Sequence, residues 1–454
     1  MNFLKKMYGN FKDKEEVLKF VVLGITFFLI IGTYWTLRPL KDGLFASIVG
    51  AKWQPYAKIL SMFAVFPIVM LYSKLVDWFK RDQVFYILSG FYAITAFAFA
   101  FCFLNPNIGL ANTVENPDRV LGWLWYIWVE SFGSLVVALF WAYTADITDP
   151  QTAKRGYPLI VMLGQLGNIL GPLILTNMGK QFFNGHNGPV VAITGVLILA
   201  IGLMIWVFQK VVPANERRVY RAKGSESSVD HDKAGFFEGL KLLVNTPYLL
   251  SIFFIITIYE VVVTVFDFLF KIGVAEHFTS SADRVEILGR YAWMTGLVAF
   301  LCVLLGINNI QRKLGMTISL LMLPLFVAGA IFATKFYGDH LMVFFWIMVL
   351  AKAINYALNQ PTLKQLYIPT SENAKYKSQA WIEMFGSRAS KGGGSGFNML
   401  REVFVNNSGL VAGVAAFMNI FFFGGLTLIA VWVPIAMYAS KKYNTAVAKD
   451  ELVC

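Results

Sequence analysis

Two cations three residues apart, Arg388 and Lys391, lie in the polar, glycine-rich stretch Lys377-Ser-Gln-Ala-Trp-Ile-Glu-Met-Phe-Gly-Ser-Arg-Ala-Ser-Lys-Gly-Gly-Gly-Ser-Gly-Phe-Asn398, between hydrophobic segments. On a helix this spacing puts both on one face. Cations at membrane depth are costly and persist where they line a cavity or meet an anionic partner, so the pair reads as a hook for anions. The structural alternative is salt bridging to Glu383 and neighbouring helices. A soluble phosphate-binding loop is excluded, because Gly386 to Gly394 lacks the G-x-x-x-x-G-K-[ST] spacing and no predicted strand precedes it.

Other charges also stand in apolar surroundings. Glu130 falls mid-way along a hydrophobic run, and a lone carboxylate there is a functional candidate unless it simply pairs with a basic residue. Glu260 and Asp267 are two helical turns apart, with Thr264 between them on nearly the same face. Lys271 lies one turn beyond Asp267, so an Asp267–Lys271 pair would account for both. Arg38 and Lys41 flank Pro39 at what reads as a helix end, where both could snorkel to the interface. Lys352, Asn355, Tyr356, Asn359 and Gln360 fall at i, i+3, i+4, i+7 and i+8, one face of a helix. Amides with a tyrosine suit a base or ribose, and they serve equally as glue between helices.

The elements that must position these residues are membrane helices. Hydrophobic residues make up 57% of the 454 positions and charged residues 15%, against about 45–50% and about 25% in soluble domains. Apolar runs of about 20 residues, each enough to cross a bilayer core, recur along the chain. They place helices at 17–38, 56–79, 84–105, 120–145, 156–179, 188–212, 247–271, 290–310, 315–336, 341–366, 378–405 and 411–438. Alternate connections hold roughly twenty-one Lys and Arg against roughly nine on the other side, which puts both termini in the cytoplasm by the positive-inside rule. The net charge of +12 is largely topological, and its scatter over short loops argues against a nucleic-acid surface. Cys102, Cys302 and Cys454 have neither disulfide nor metal spacing, and the four histidines share none. The first helix follows charged residues without a cleavage site and reads as a retained anchor.

The longest connection, Val211 to Asn245, divides the chain into an N-terminal bundle (1–212), a cytoplasmic linker (213–246) and a C-terminal bundle (247–454). Ile147-Thr-Asp-Pro-Gln-Thr-Ala-Lys154 and Ile368-Pro-Thr-Ser-Glu-Asn-Ala-Lys375 share I-x5-A-K after the fourth and tenth helices. Lys41-Asp-Gly43 and Lys271-Ile-Gly273 likewise correspond. Such duplication is the mark of a transporter built from repeats, with its substrate expected between the halves.

Four stretches carry a resemblance: Leu37-Arg-Pro-Leu-Lys-Asp-Gly43; Glu130-Ser-Phe-Gly through Phe140-Trp141 to Ala153-Lys-Arg-Gly-Tyr157; Val263-Thr-Val-Phe-Asp-Phe-Leu-Phe-Lys271; and Tyr367-Ile-Pro through Lys377 to Gly386-Ser-Arg-Ala-Ser-Lys-Gly-Gly-Gly394. They resemble the nucleotide transporters of obligate intracellular bacteria and plastids, the ATP/ADP translocase family. The resemblance implies a major-facilitator-like arrangement and nucleotide exchange, with Lys41, Glu130 and Lys377 at important family positions. Asp267 stands where the family has glutamate. Asn355, Gln360 and Leu363 replace the usual Lys, Asp and Lys, a net loss of one positive charge, which implies a ligand less anionic than ATP.

The combined expectation is an all-α polytopic membrane protein of about twelve transmembrane helices in two six-helix halves. It would be a monomer in the bacterial inner membrane that moves a nucleotide by alternating access, without metal, cofactor or enzymatic activity. Its candidate binding residues are Arg38, Lys41, Glu130, Asp267, Lys271, Asn355, Tyr356, Lys377, Arg388 and Lys391. A transporter for phosphate or a sugar phosphate, with or without coupled protons, would use the same cations. An enzyme acting on an anionic lipid head group is the third class, but the chain offers no evident nucleophile and base pair.

Overall fold

A computed structural model describes residues 13–217, 236–304, 308–338, 340–370, 378, 381–382, 386–449 and 451–453. Regular structure among the described residues is helical: α1 (Lys14–Ile48), a short 3-10 turn (Ala51–Trp53), α2 (Gln54–Trp78), α3 (Arg81–Leu104), α4 (Val120–Asp146), α5 (Pro150–Gln181) and α6 (Gly188–Val211). Then come α7 (Phe236–Asn245), α8 (Pro247–His277), α9 (Ser281–Leu304), α10 (Asn308–Tyr337), α11 (Leu341–Ile354), a π-helical turn (Asn355–Asn359), α12 (Gln360–Leu366), α13 (Ser387–Ser408) and α14 (Leu410–Lys449). Among the described residues, eleven spans are long and apolar enough to cross a membrane. The polar α13 is not among them, as expected of its glycines and charges.

Several boundaries differ from those read off the sequence. Helix α1 begins at Lys14, where the Asp13 side chain accepts from the Glu16 amide at 2.8 Å, and it runs past Pro39 to Ile48. Its buried face continues through Leu37, Leu40, Leu44 and Ile48, which outweighs the one amide donor that Pro39 lacks. Lys41 therefore sits inside a helix and is buried, so it does not snorkel from a helix end. Lys271 is likewise inside α8, which continues to His277. Helix α9 starts nine residues before the expected 290, because its first turns carry Asp283, Arg284, Glu286 and Arg290 and interrupt the apolar run. The helix expected at 341–366 contains a π turn, in which the Gln360 amide bonds to the Asn355 carbonyl. Pro361 follows and has no amide to close the ordinary bond to Ala357.

The chain forms two compact units, residues 1–229 with 274–296, and residues 230–273 with 297–454. In the first unit α4 carries an aromatic ridge, Trp125, Trp128 and Phe132, at helical spacing. Trp125 stacks on Trp128 at 5.2 Å, Trp128 donates to Thr95 Oγ1 at 2.7 Å, and the Tyr92 hydroxyl donates to Ser131 at 2.8 Å. These contacts fix the rotation of α4 against α3. The segment between them is tied by Arg119, which donates to the carbonyls of Ile108, Gly109, Asn112 and Val114 at 2.5–3.0 Å. Burial presses the Arg119 guanidinium below its usual pKa, yet an arginine stays charged at any ordinary pH. Residues 274–296 join this unit through polar contacts: Arg284 pairs with Glu115 at 3.0 Å, and Lys180 with Asp283 and Glu286 at 2.9 and 3.0 Å.

In the second unit Phe397 of α13 packs on Phe417 and Phe421 of α14, and Phe421 also meets Phe266 of α8. The polar helix α13 is thereby anchored by one aromatic face. Gly394 lets it lie against α8, since a Cβ there would stand 2.9 Å from Thr264 and 3.0 Å from the Val261 carbonyl.

Candidate functional site

The first unit brings Arg38, Lys41 and Glu130 together from α1 and α4. Lys41 Nζ is 2.5 Å from Glu130 Oε1 and 3.5 Å from Asp42 Oδ1, and it lies 4.0 Å from the centre of the Tyr126 ring. Asp42 is held in turn by Gln54, which donates to it at 3.0 Å. The ammonium thus has two carboxylates and an aromatic face around it, a set of partners that offsets the desolvation of a buried charge. The pair is asymmetric: the Lys41 side chain is 5% exposed and that of Glu130 is 34% exposed. Glu130 is therefore the member that water or an incoming solute can reach. Arg38 stacks over Trp35 at 4.6 Å.

The second unit holds the remaining candidates in three groups. Asp267 and Lys271 form a 2.8 Å pair one turn apart on α8, as their spacing implies. Glu260, also on α8, accepts from Ser387 Oγ at 3.3 Å and stands 3.7 Å from Lys391 Nζ on α13. Arg388 is exposed on the same helix. On the π turn Asn359 donates to the Asn355 side chain at 2.9 Å, both residues are buried, and the Tyr356 side chain is exposed. Just before the turn, Lys352 lies 5.7 Å from the Tyr259 ring. Lys377 falls outside the described residues.

Two participants escape the sequence reading although signals for them exist. Tyr126 precedes Glu130 by one helical turn, and Asp42 adjoins Lys41. Ser387 and the role of Glu260 give no comparable signal, because their contact joins distant parts of the chain.

A buried lysine paired with a reachable carboxylate suits binding of an anion that displaces the carboxylate. Which anions such sites serve is narrowed by likeness to known proteins. The profile of the family described as TLC ATP/ADP transporter matches residues 4–117 and 120–443.

The chain belongs to that family.

Among its relatives in the family, ADP,ATP carrier protein 1 of Rickettsia prowazekii (strain Madrid E) is 26% identical, over 97% of this chain and 96% of its own length. ADP,ATP carrier protein 2, chloroplastic, of Arabidopsis thaliana is 23% identical, over 98% of this chain and 78% of its own. The solved structure of the nucleoside transporter NupG superposes with a TM-score of 0.61 at 15% identity, covering 92% of this chain and 98% of that one. A bacterial homologue of the iron transporter ferroportin, in an inward-facing state, gives 0.64 at 10% identity, over 95% and 100% of the two chains. At these identities the likeness concerns the fold, which is all-α, polytopic and major-facilitator-like.

Proposed function

We propose that this member of the TLC ATP/ADP transporter family is a secondary transporter that exchanges adenine nucleotides or closely related nucleotides across the bacterial inner membrane. The observation that carries the reading is the Lys41–Glu130 pair, an ion pair inside two membrane-spanning helices with its acidic member reachable from outside. The family match supports the nucleotide, since the named relatives are ADP,ATP carriers.

In this reading ligand phosphates are drawn to the cations Arg38, Lys41, Lys271, Arg388 and Lys391, where charge-assisted bonds are shorter and stronger than neutral ones. Glu130 and Asp267 neutralise their lysines in the empty carrier, and phosphate competes them away on binding. Such a trade lowers the cost of reorienting without ligand, because no buried cation is left bare at either stage. Asn355, Tyr356 and Lys377 complete the proposed binding set. Six helices on each side of the cytoplasmic linker, cytoplasmic termini, a monomeric state, and transport without chemical change of the ligand belong to the same proposal.

Asn355 and Leu363, which stand where the family resemblance leads one to expect lysines, are each 3% exposed. Fewer cations there favour a diphosphate, monophosphate or dinucleotide over ATP. The test is uptake of labelled ADP into proteoliposomes, competed by ATP, ADP, AMP, dinucleotides, phosphate and sugar phosphates. Competition by nucleotides and not by phosphate or sugar phosphates supports the reading; the reverse pattern overturns it. Arg388→Lys keeps the charge but loses the planar fork, so it should weaken ADP by about tenfold if the guanidinium grips phosphate in bidentate fashion. Unchanged competition curves would remove Arg388 from the site.

A further inference from the structure

Glu130, Asp267 and Glu260 each lie against a lysine, and they are not equivalent. Glu130 makes a close hydrogen-bonded contact with Lys41, and Asp267 does so with Lys271 at 2.8 Å one turn away on its own helix. Glu260 differs from both. Its partner Lys391 stands at 3.7 Å, a distance that gives attraction between charges without a hydrogen bond. Its other described contact is the Ser387 hydroxyl at 3.3 Å. The Glu260 side chain is 12% exposed, whereas that of Lys391 is 42% exposed and so accessible to a solute. The lysine is thus held from its protein side by a carboxylate and is free to take a second anion from the other.

We infer that Glu260 is a specificity-determining residue, a built-in carboxylate that competes with ligand phosphate for Lys391 and limits how much negative charge the site accepts. The inference rests on the nucleotide-transport reading. Its physical basis is that the attraction Lys391 offers grows with each ligand charge and Glu260 withholds that attraction by engaging the ammonium, so what the carboxylate takes away grows from mono- to di- to triphosphate. A loose pair is suited to this task, because Lys391 can turn toward ligand without breaking a hydrogen bond, while Ser387 keeps the carboxylate in place. Glu260 acts through Lys391 and is a positioning residue in that sense; its signature is a change in ligand order.

The experiment measures displacement of labelled ADP by ATP, ADP and AMP from the full-length protein in proteoliposomes. Glu260→Gln keeps the shape and an acceptor for Ser387 while removing the charge, and it should raise the ATP-to-AMP affinity ratio at least tenfold. In a Lys391→Gln background the same change should leave the ratio unaltered. Lys391→Gln alone should weaken ATP more than AMP, which keeps the idea testable if Glu260→Gln does not insert. An unchanged ratio in Glu260→Gln, a shift that persists in the Lys391→Gln background, or equal weakening of ATP and AMP by Lys391→Gln would each overturn the inference while leaving nucleotide transport intact. A wild-type protein displaced by no nucleotide would overturn the transport reading and this inference together.

Discussion

Lys41→Ala is expected to abolish exchange and to lower ADP affinity on the order of a hundredfold. The substitution removes the ammonium that Glu130, Asp42 and the Tyr126 ring share, leaving both carboxylates without that partner. In the proposed reading ligand phosphate loses its partner as well, and truncating one member of a hydrogen-bonded charge pair at a binding interface costs about 2–5 kcal/mol; the partial exposure of Glu130 favours the lower end, still about two decades in affinity. Equilibrium ADP binding and exchange in proteoliposomes check it. Glu130→Gln probes the other half of the pair and should separate the two readouts, with ADP affinity retained or increased and exchange lost. That split is expected because ligand phosphate can replace the carboxylate only while ligand is bound. Proportional loss of both readouts in Glu130→Gln would refute the idea that Glu130 serves the empty carrier.

The second large effect is structural. Gly167→Leu should prevent α5 from docking on α1 and should lower the melting temperature in detergent or abolish membrane insertion. Any Cβ at Gly167 would collide with the Phe28 carbonyl and one at Gly171 with the Gly32 carbonyl, and backbone atoms cannot swing aside as a flexible side chain does. Small residues allow this close approach of membrane helices, and overpacking such a contact costs about 1–3 kcal/mol or more. Gly90→Ala is the control, because nothing outside its own stretch of helix backbone lies within 4 Å of the added methyl group and a helix gains slightly from losing a glycine. Equal melting temperatures for Gly167→Leu and wild type would show that the α1–α5 contact is not needed.

How much of this is legible in the sequence depends on the distance over which each feature is encoded. Local periodicity carries the Asp267–Lys271 pair, since both residues and their spacing sit on one helix. It also carries the polar character of α13, whose glycines and cations depart from every neighbouring segment. The apolar runs locate the helices but misplace the ends of α1 and α9, where charged residues continue a helix that run length treats as finished. Lys41 reads as a surface-seeking helix-end lysine because its partner Glu130 is 89 residues away and no spacing reveals it. The π turn at Asn355 follows from Pro361, a signal present in the sequence but hidden by the regular stripe of polar residues around it. Lys391 stands out in its glycine-rich stretch, but its pairing to Glu260 requires the packing of α13 on α8.

Exchange of one nucleotide for another through paired intramembrane charges is open to a counterflow measurement. Proteoliposomes containing the wild-type protein are loaded with unlabelled ADP or left empty, and uptake of external labelled ADP is followed in both. Rapid uptake is expected into ADP-loaded vesicles, little into empty ones, and none in either with Lys41→Ala. Equal uptake into loaded and empty vesicles, or full uptake by Lys41→Ala, would contradict it.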